Sequence, residues 1–199
     1  MNRTLLLLMQ ASLPIQSKYL NFLGPEEKEL LFAQAAQLHA KKGDAIIVPG
    51  KPVKDVFYIQ KGIVRLYMTD EGGREINTHL AWEGMFITSL YSLINNKPSD
   101  ESLMAVTDCE LLHFPYSFIS SMFDRYPKVE RLAKMLVEEA FSCQFERIRM
   151  MQAMTAKKRY SHLMESMPNE VFLKVPMQDI ASYLGIAPGS LSRIRNEFS

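Results

Sequence analysis

The chain has 199 residues, 47 % of them hydrophobic and 23 % charged, with a formal net charge of +1. Such a composition fits one large or two small globular domains, and the near-neutral balance excludes a chain that holds nucleic acid through bulk charge alone. No apolar run reaches the roughly 18 residues of a membrane span, and two cysteines, Cys109 and Cys143, are too few for a disulfide framework or a cluster needing about four thiolates.

Thr4 to Met9 is apolar but short and lacks a small-residue cleavage site, so no secretory signal is expected and the expected location is the cytoplasm. Residues 1–36 read as helical. Pro25-Glu26-Glu27 opens a segment ending near Ala36, with Leu30, Leu31, Ala35 and Leu38 as its apolar face. From about Gln37 to Phe114, short β-type runs alternate with turn signals: Ala45–Val48, Asp55–Gln60, Ile63–Met68, Glu75–Ala81 and Val106–Phe114. Short strands at this spacing predict a compact β-roll or barrel.

Tyr116 to Phe123 reads as a short helix, and Pro127 opens a long one running to about Met154. Its positions Val129, Ala133, Leu136, Ala140, Cys143 and Met150 recur at 4-3 spacing, with Arg147 the exception. Leu132, Val137, Phe141, Phe145 and Ile148 form a second stripe. Two apolar stripes need two partners. The β-domain supplies one, and a second copy of the helix is expected to supply the other, giving a homodimer through residues 128–154.

Thr155 is the expected N-cap of the next helix, which ends near Met167-Pro168. Val171 to Val175 reads as a short strand, and two helices follow, about Met177–Leu184 and Pro188–Phe198. Ala181 is small enough for a second helix to cross above it. Gly185 sits where the first helix must end in a left-handed conformation. Ile180, Leu184, Ile186, Leu191 and Ile194 are spaced to share one core. The pattern predicts a helix-turn-helix unit, whose second helix is expected to enter the major groove of double-stranded DNA, against the alternative of a plain helical hairpin with surface arginines. The candidate DNA contacts are Ser190, Ser192, Arg193 and Arg195 on that helix, with Lys157 and Lys158 upstream. Arg193 carries the fork that pairs with guanine.

Taken together, these segments resemble the Crp/Fnr superfamily of bacterial transcription regulators. The resemblance rests on Lys42-Gly43-Asp44, Phe57-Tyr58-Ile59-Gln60-Lys61-Gly62, Val64-Arg65-Leu66-Tyr67, Ala105 to Leu112, Arg159-Tyr160, and Gln178-Asp179-Ile180-Ala181 through Leu191-Ser192-Arg193-Ile194. It implies an α+β fold with three parts. Residues 1–126 would form a cyclic-nucleotide-binding-like β-roll (a double-stranded β-helix or jelly roll) and 127–154 a dimerisation helix. Residues 155–199 would form a winged-helix-type helix-turn-helix domain, with any wing strand drawn from Val171–Val175. RNA polymerase joins DNA among the partners expected of such a regulator.

Two departures from the family pattern stand out. Members that bind cyclic nucleotide carry Gly-Glu early in a phosphate cassette and Arg-Ser or Arg-Thr late. Here Thr88-Ser89 stands at the early place, and Pro98-Ser99-Asp100-Glu101-Ser102, with no arginine, at the late one. Asp100 and Glu101 would repel a cyclic phosphate. The effector is therefore expected not to be cyclic AMP, and no cofactor is assigned. The candidate ligand-pocket residues are Trp82, Phe86, Thr88, Ser89, Ser99 and Ser102. Second, cyclic-AMP-responsive members open the reading helix with Arg-Glu-Thr, where this chain has Pro188-Gly189-Ser190.

No nucleophile–base pair, phosphate loop or metal motif points to an enzyme, and His39, His79, His113 and His162 are widely separated. The alternative to a regulator is a ligand-binding or interaction module with a degenerate DNA-binding domain.

Overall fold

The computed structural model describes residues 19–198. The helical reading of residues 1–18 lies outside them. A single 3-10 turn at Leu20–Phe22 leads into helix α1, Pro25–Ala33. That helix ends earlier than its apolar pattern suggests. Ala36–Ala40 forms strand β1 instead, paired antiparallel with residues 109–113. Leu38, expected on the helix, packs toward the interior of the β-domain. A ladder of long-range backbone bonds outweighs one more helical turn.

The remaining strands are β2 (Ala45–Ile47), β3 (Asp55–Lys61), β4 (Ile63–Thr69), β5 (Glu75–Trp82), β6 (Phe86–Ile87), β7 (Glu101–Ala105) and β8 (Cys109–Pro115). They make two four-stranded antiparallel sheets, ordered β1-β8-β3-β6 and β2-β7-β4-β5, the roll expected from the turn spacing. Helix α2, Leu90–Asn95, and strands β6 and β7 have no counterpart in the sequence reading. The last strand starts at Cys109, not Val106, because residues 106–108 turn. The Val106 N–H reaches the Ile63 carbonyl at 2.8 Å, and the Asp108 carboxylate accepts from the Lys42 N–H at 3.0 Å. Gly62 makes the matching turn possible. Its φ is +102°, and a Cβ there would lie 2.6 Å from both the Asp108 carbonyl and the Cys109 sulfur.

Strand alternation sorts the apolar side chains into three cores. Between the sheets lie Phe57, Ile59, Val64, Leu66, Leu103, Leu111 and their neighbours. The outer face of the first sheet, through Tyr58, Leu112 and Phe114, meets α1 and the start of the long helix α4 (Pro127–Ala153), with α3 (Tyr116–Ser121) nearby. The second sheet presents Ile63 and Leu80, with Val106 from the turn, to the C-terminal helices.

Pro127 opens α4 at a position where its missing N–H costs nothing. Val129 and Leu132 are buried against the roll, so Leu132 belongs to the inner stripe and not, as its spacing suggested, to the outer one. The outer stripe is exposed: Val137 at 40 %, Phe141 at 70 %, Phe145 at 55 % and Ile148 at 52 %.

The C-terminal helices are α5 (Ala156–Ser166), α6 (Asn169–Phe172), α7 (Met177–Leu184) and α8 (Pro188–Glu197). Thr155 caps α5, its hydroxyl accepting from the Lys158 N–H at 3.4 Å. The strand expected at Val171–Val175 is helix and turn. Val171, Phe172 and Val175 fall at i, i+1 and i+4, which puts all three into one core on a helical path, with Pro168 and Pro176 bounding it. Residues 155–198 contain no strand. None of the described helices is long and apolar enough to cross a membrane.

Candidate nucleic-acid interface and sensor site

The helix-turn-helix scaffold follows from its sequence residue by residue. Asp179 lies in the first turn of α7, against the positive end of the helix dipole. The helix stops at Gly185, with φ 60° and ψ 40°, and the Ile186 N–H returns to the Ala181 carbonyl at 2.9 Å. Ile180, Ala181, Leu184, Ile186 and Leu191 are buried, and Ile194 is half-buried against them. The tight turn leaves α8 projecting with Pro188 at its first position.

Ser190, Ser192 and Arg193 are exposed along α8. Arg195 is exposed too, but its guanidinium leans back toward α7, 3.5 Å from the Met177 sulfur. Lys157 is tied to the far end of α8 by an ion pair with Glu197 at 2.7 Å and sits over the Phe198 ring. Lys158 is exposed at the start of α5. The candidates thus divide into a cluster on α8, Lys157 at its C-terminal end, and Lys158 at the start of α5.

At the cassette positions the chain bonds to itself. Ser89 donates to the Glu101 carboxylate at 2.7 Å, and Thr78 donates to its other oxygen at 3.0 Å. Ser99 lies 3.1 Å from the Ser89 hydroxyl and bonds the Glu101 backbone. Ser89 and Ser99 are buried. A carboxylate ringed by hydroxyl donors thus lies at these positions, and its charge opposes an anion there.

The other pocket candidates lie elsewhere. Thr88 donates to the Asp55 carbonyl at 2.9 Å. Phe86 packs on Tyr58 with centroids 5.0 Å apart, on the outer face covered by the helices. Ser102 pairs with Tyr67 and alternates away from the inward Leu103. Trp82, named as a pocket candidate although an aromatic there more often serves core packing, packs into the core shared with the C-terminal helices. Of the six, only Ser89 and Ser99 converge.

The most elaborate polar cluster is one the sequence reading did not assemble: the seam between the second sheet and α7. Arg65, 9 % exposed on the outer face of β4, pairs with Glu75 on β5 and with Asp179 on α7 at 3.0 Å. It also donates to the Asn77 side chain at 3.1 Å and lies over the Tyr67 ring. Asn77 donates its amide to the Asp179 carbonyl at 3.0 Å and its backbone N–H to Ser182 at 2.9 Å. Ser182 donates onward to the Glu75 carbonyl at 2.8 Å. From α4, Arg147 donates to the carbonyls of Asn77 at 2.8 Å and Tyr183 at 3.3 Å.

Burial at this seam is electrically costly. Desolvation, helped by the Arg147 charge, pushes His79 down to about 4, so its imidazole is neutral beside the Gln144 amide. Burial also raises the Tyr183 phenol to about 12 and lowers Arg147. Two signals were visible in the sequence: Arg65 interrupts an apolar strand, and Arg147 interrupts the apolar repeat of the long helix.

The described chain is a β-roll joined by a long helix to a helix-turn-helix unit. Residues 37–126 match the family model of the cyclic nucleotide-binding domain. Electron transport regulator A of Shewanella oneidensis is 22 % identical over 170 residues, 79 % of this chain, and the match spans 66 % of that protein, under two thirds of its length. FixK2 from Bradyrhizobium japonicum superposes with a TM-score of 0.74 at 18 % identity, over 82 % of this chain and 83 % of that one. The c-di-GMP responsive global regulator CLP of Xanthomonas campestris gives 0.72 at 15 % identity, over 88 % and 91 %. A variant of CooA from Carboxydothermus hydrogenoformans gives 0.67 at 15 %, over 83 % and 77 %.

Residues 37–126 thus match the cyclic nucleotide-binding domain, and the fold of the chain is similar to that of these proteins. Electron transport regulator A and CLP are named as regulators, and among the described residues no group of three or more His, Cys, Asp or Glu is placed to hold a metal.

Proposed function

We propose that this protein is a homodimeric, sequence-reading transcription regulator of the Crp/Fnr type, located in the cytoplasm. The observation that carries the reading is the left-handed turn at Gly185, which leaves α8 projecting with Ser190, Ser192 and Arg193 exposed. A reading helix placed this way fits the major groove, with Arg193 against a base edge and Lys158 against phosphate. The three parts of the chain divide the work as residues 1–126, 127–154 and 155–199. Val137, Phe141, Phe145 and Ile148 give the dimer its seam, and two copies then address a site of two half-sites about one DNA turn apart. RNA polymerase is the further partner.

The effector, if the roll takes one, is not cyclic AMP, a reading supported by the Glu101 carboxylate and its hydroxyl donors at the positions that resemble the phosphate cassette. Selection from a random pool of duplex DNA at moderate salt tests the function. An enriched, roughly palindromic motif is expected, and a pool that stays unenriched sinks the reading. One observation favours a second reading, an interaction module that has given up DNA: Arg195 and Lys157 are engaged within the domain, leaving Arg193 as the main cationic reader on α8. The same selection separates the two.

A further inference from the structure

The polar seam and the cassette network share one strand. β5 pairs with β4 through Leu66↔His79 and then Tyr67↔Asn77, so Thr78 is the extra residue of a β-bulge. The Thr78 hydroxyl lies within hydrogen-bonding distance of the Leu66 carbonyl at 3.2 Å and of the Glu101 carboxylate at 3.0 Å. Its neighbour Asn77, fully buried, faces the other way and holds the Asp179 carbonyl and the Ser182 hydroxyl of α7. One peptide unit therefore separates the hydroxyl that engages the cassette carboxylate from the amide that engages the first helix of the DNA-reading unit. A bulge is a local kink whose shape depends on what its extra residue bonds. Changing the partner of Thr78 turns Asn77 as well.

We propose that the Thr78 bulge couples the cassette position to the docking of α7: while Glu101 holds Thr78, Asn77 and Arg65 hold α7 on the roll, and loss of the Thr78–Glu101 bond loosens that dock. The dock fixes the direction of α8, since the two helices share one core. A ligand group that takes Glu101 away from Thr78 would thus release the reading domain without touching it. The regulatory meaning rests on the DNA-reading function proposed above. The mechanical coupling does not.

The chain carries its own reporter. Trp82, the one tryptophan of the sequence, is half-buried in the core between roll and reading domain. Acrylamide quenching of its fluorescence in the full chain reads the dock directly, with no DNA present. Asp179→Asn, which removes a dock contact, is expected to raise the quenching constant. So is Thr78→Val, which touches no residue of α7. The docking equilibrium should shift at least about twofold, the low end for changes along a coupled chain, and the quenching constant should rise with it. Glu101→Ala, which removes the acceptor of both hydroxyls, should do the same. It serves as the second variant should Thr78→Val fail to fold. If Asp179→Asn raises quenching while both Thr78→Val and Glu101→Ala match the unmodified chain, the coupling is overturned. If Asp179→Asn also leaves quenching unchanged, the dock itself is overturned. A chain that passes this test yet enriches no DNA sequence would lose its assigned function and keep its coupling.

Discussion

Phe141 and Phe145 stack one helical turn apart on the solvent side of the long helix, with ring centroids 6.3 Å apart and planes 16° from parallel. Leaving such a side chain in water forgoes about 1.5–3 kcal/mol of burial, and here two lie in a row with Val137 and Ile148. A second copy of the helix is the partner we propose for this surface.

Replacing both rings, as Phe141→Glu with Phe145→Glu, is expected to convert a dimer to a monomer in sedimentation velocity. Glutamate is a strong helix former and both sites are exposed, so circular dichroism should be unchanged. A dimer that survives the double change would remove this stripe from the interface.

Arg193→Ala should weaken binding to the selected DNA by about 1–3 kcal/mol and relax the preference at one base position in each half-site. Lys158→Ala should weaken all sequences alike and flatten the salt dependence, the behaviour of a phosphate contact. Fluorescence anisotropy across a salt series reads both. If Arg193→Ala leaves the preference intact, that arginine does not read a base.

Gly185→Ala places a Cβ at φ +60°, 3.1 Å from the Met151 sulfur. We expect a loss of about 1–2 kcal/mol in urea unfolding. Gly189→Ala is the control, since it lies in α8 with open space around the added carbon and should be neutral or slightly stabilising. Equal effects at the two sites would mean that the left-handed turn is not what Gly185 supplies.

His79 predicts a pH dependence whose sign follows from its environment. Its folded value of about 4 lies below the ordinary 6.5, so the unfolded chain binds the proton first. No penalty exists above about pH 6.5. As the pH falls toward about 4 the folded state loses about 3 kcal/mol, and below that the loss is constant. Stability profiles of the unmodified chain and His79→Asn, subtracted, isolate this contribution from that of the carboxylates. A flat difference between pH 4 and 6.5 would show that the imidazole is not held neutral.

Titration calorimetry with cyclic AMP should show no binding tighter than about 1 mM, because the cassette presents a carboxylate and no arginine. Micromolar binding would overturn that assignment.

The parts legible in the sequence are those where one local signal fixes one local geometry. Gly185 ends α7, Thr155 caps α5, and turn pairs such as Lys61-Gly62 separate the strands. The parts that escaped depend on distant partners. Val171 to Val175 is as apolar as a strand and becomes helix because its core is made by other helices. Leu38 leaves a helix for a strand because β8 pairs with it. Phe86, Trp82 and Ser102 each stand near the cassette in sequence, but strand alternation and the order of sheets send them to three different surroundings. Arg65 and Arg147 were visible as charges in apolar patterns. What they meet depends on where α7 lands.

The bond from the Asn77 backbone to Ser182 joins positions 105 residues apart, whereas every strand pairing of the roll closes by residue 115. During synthesis the roll has all its strands long before α7 exists. Its outer face, with Leu80 and Ile63, must wait in water for more than sixty residues of chain to emerge. Arg65 and Glu75, both polar and already adjacent, keep that face soluble in the interval. Folding order, as much as the finished dock, gives a reason for a charged pair on an otherwise apolar sheet.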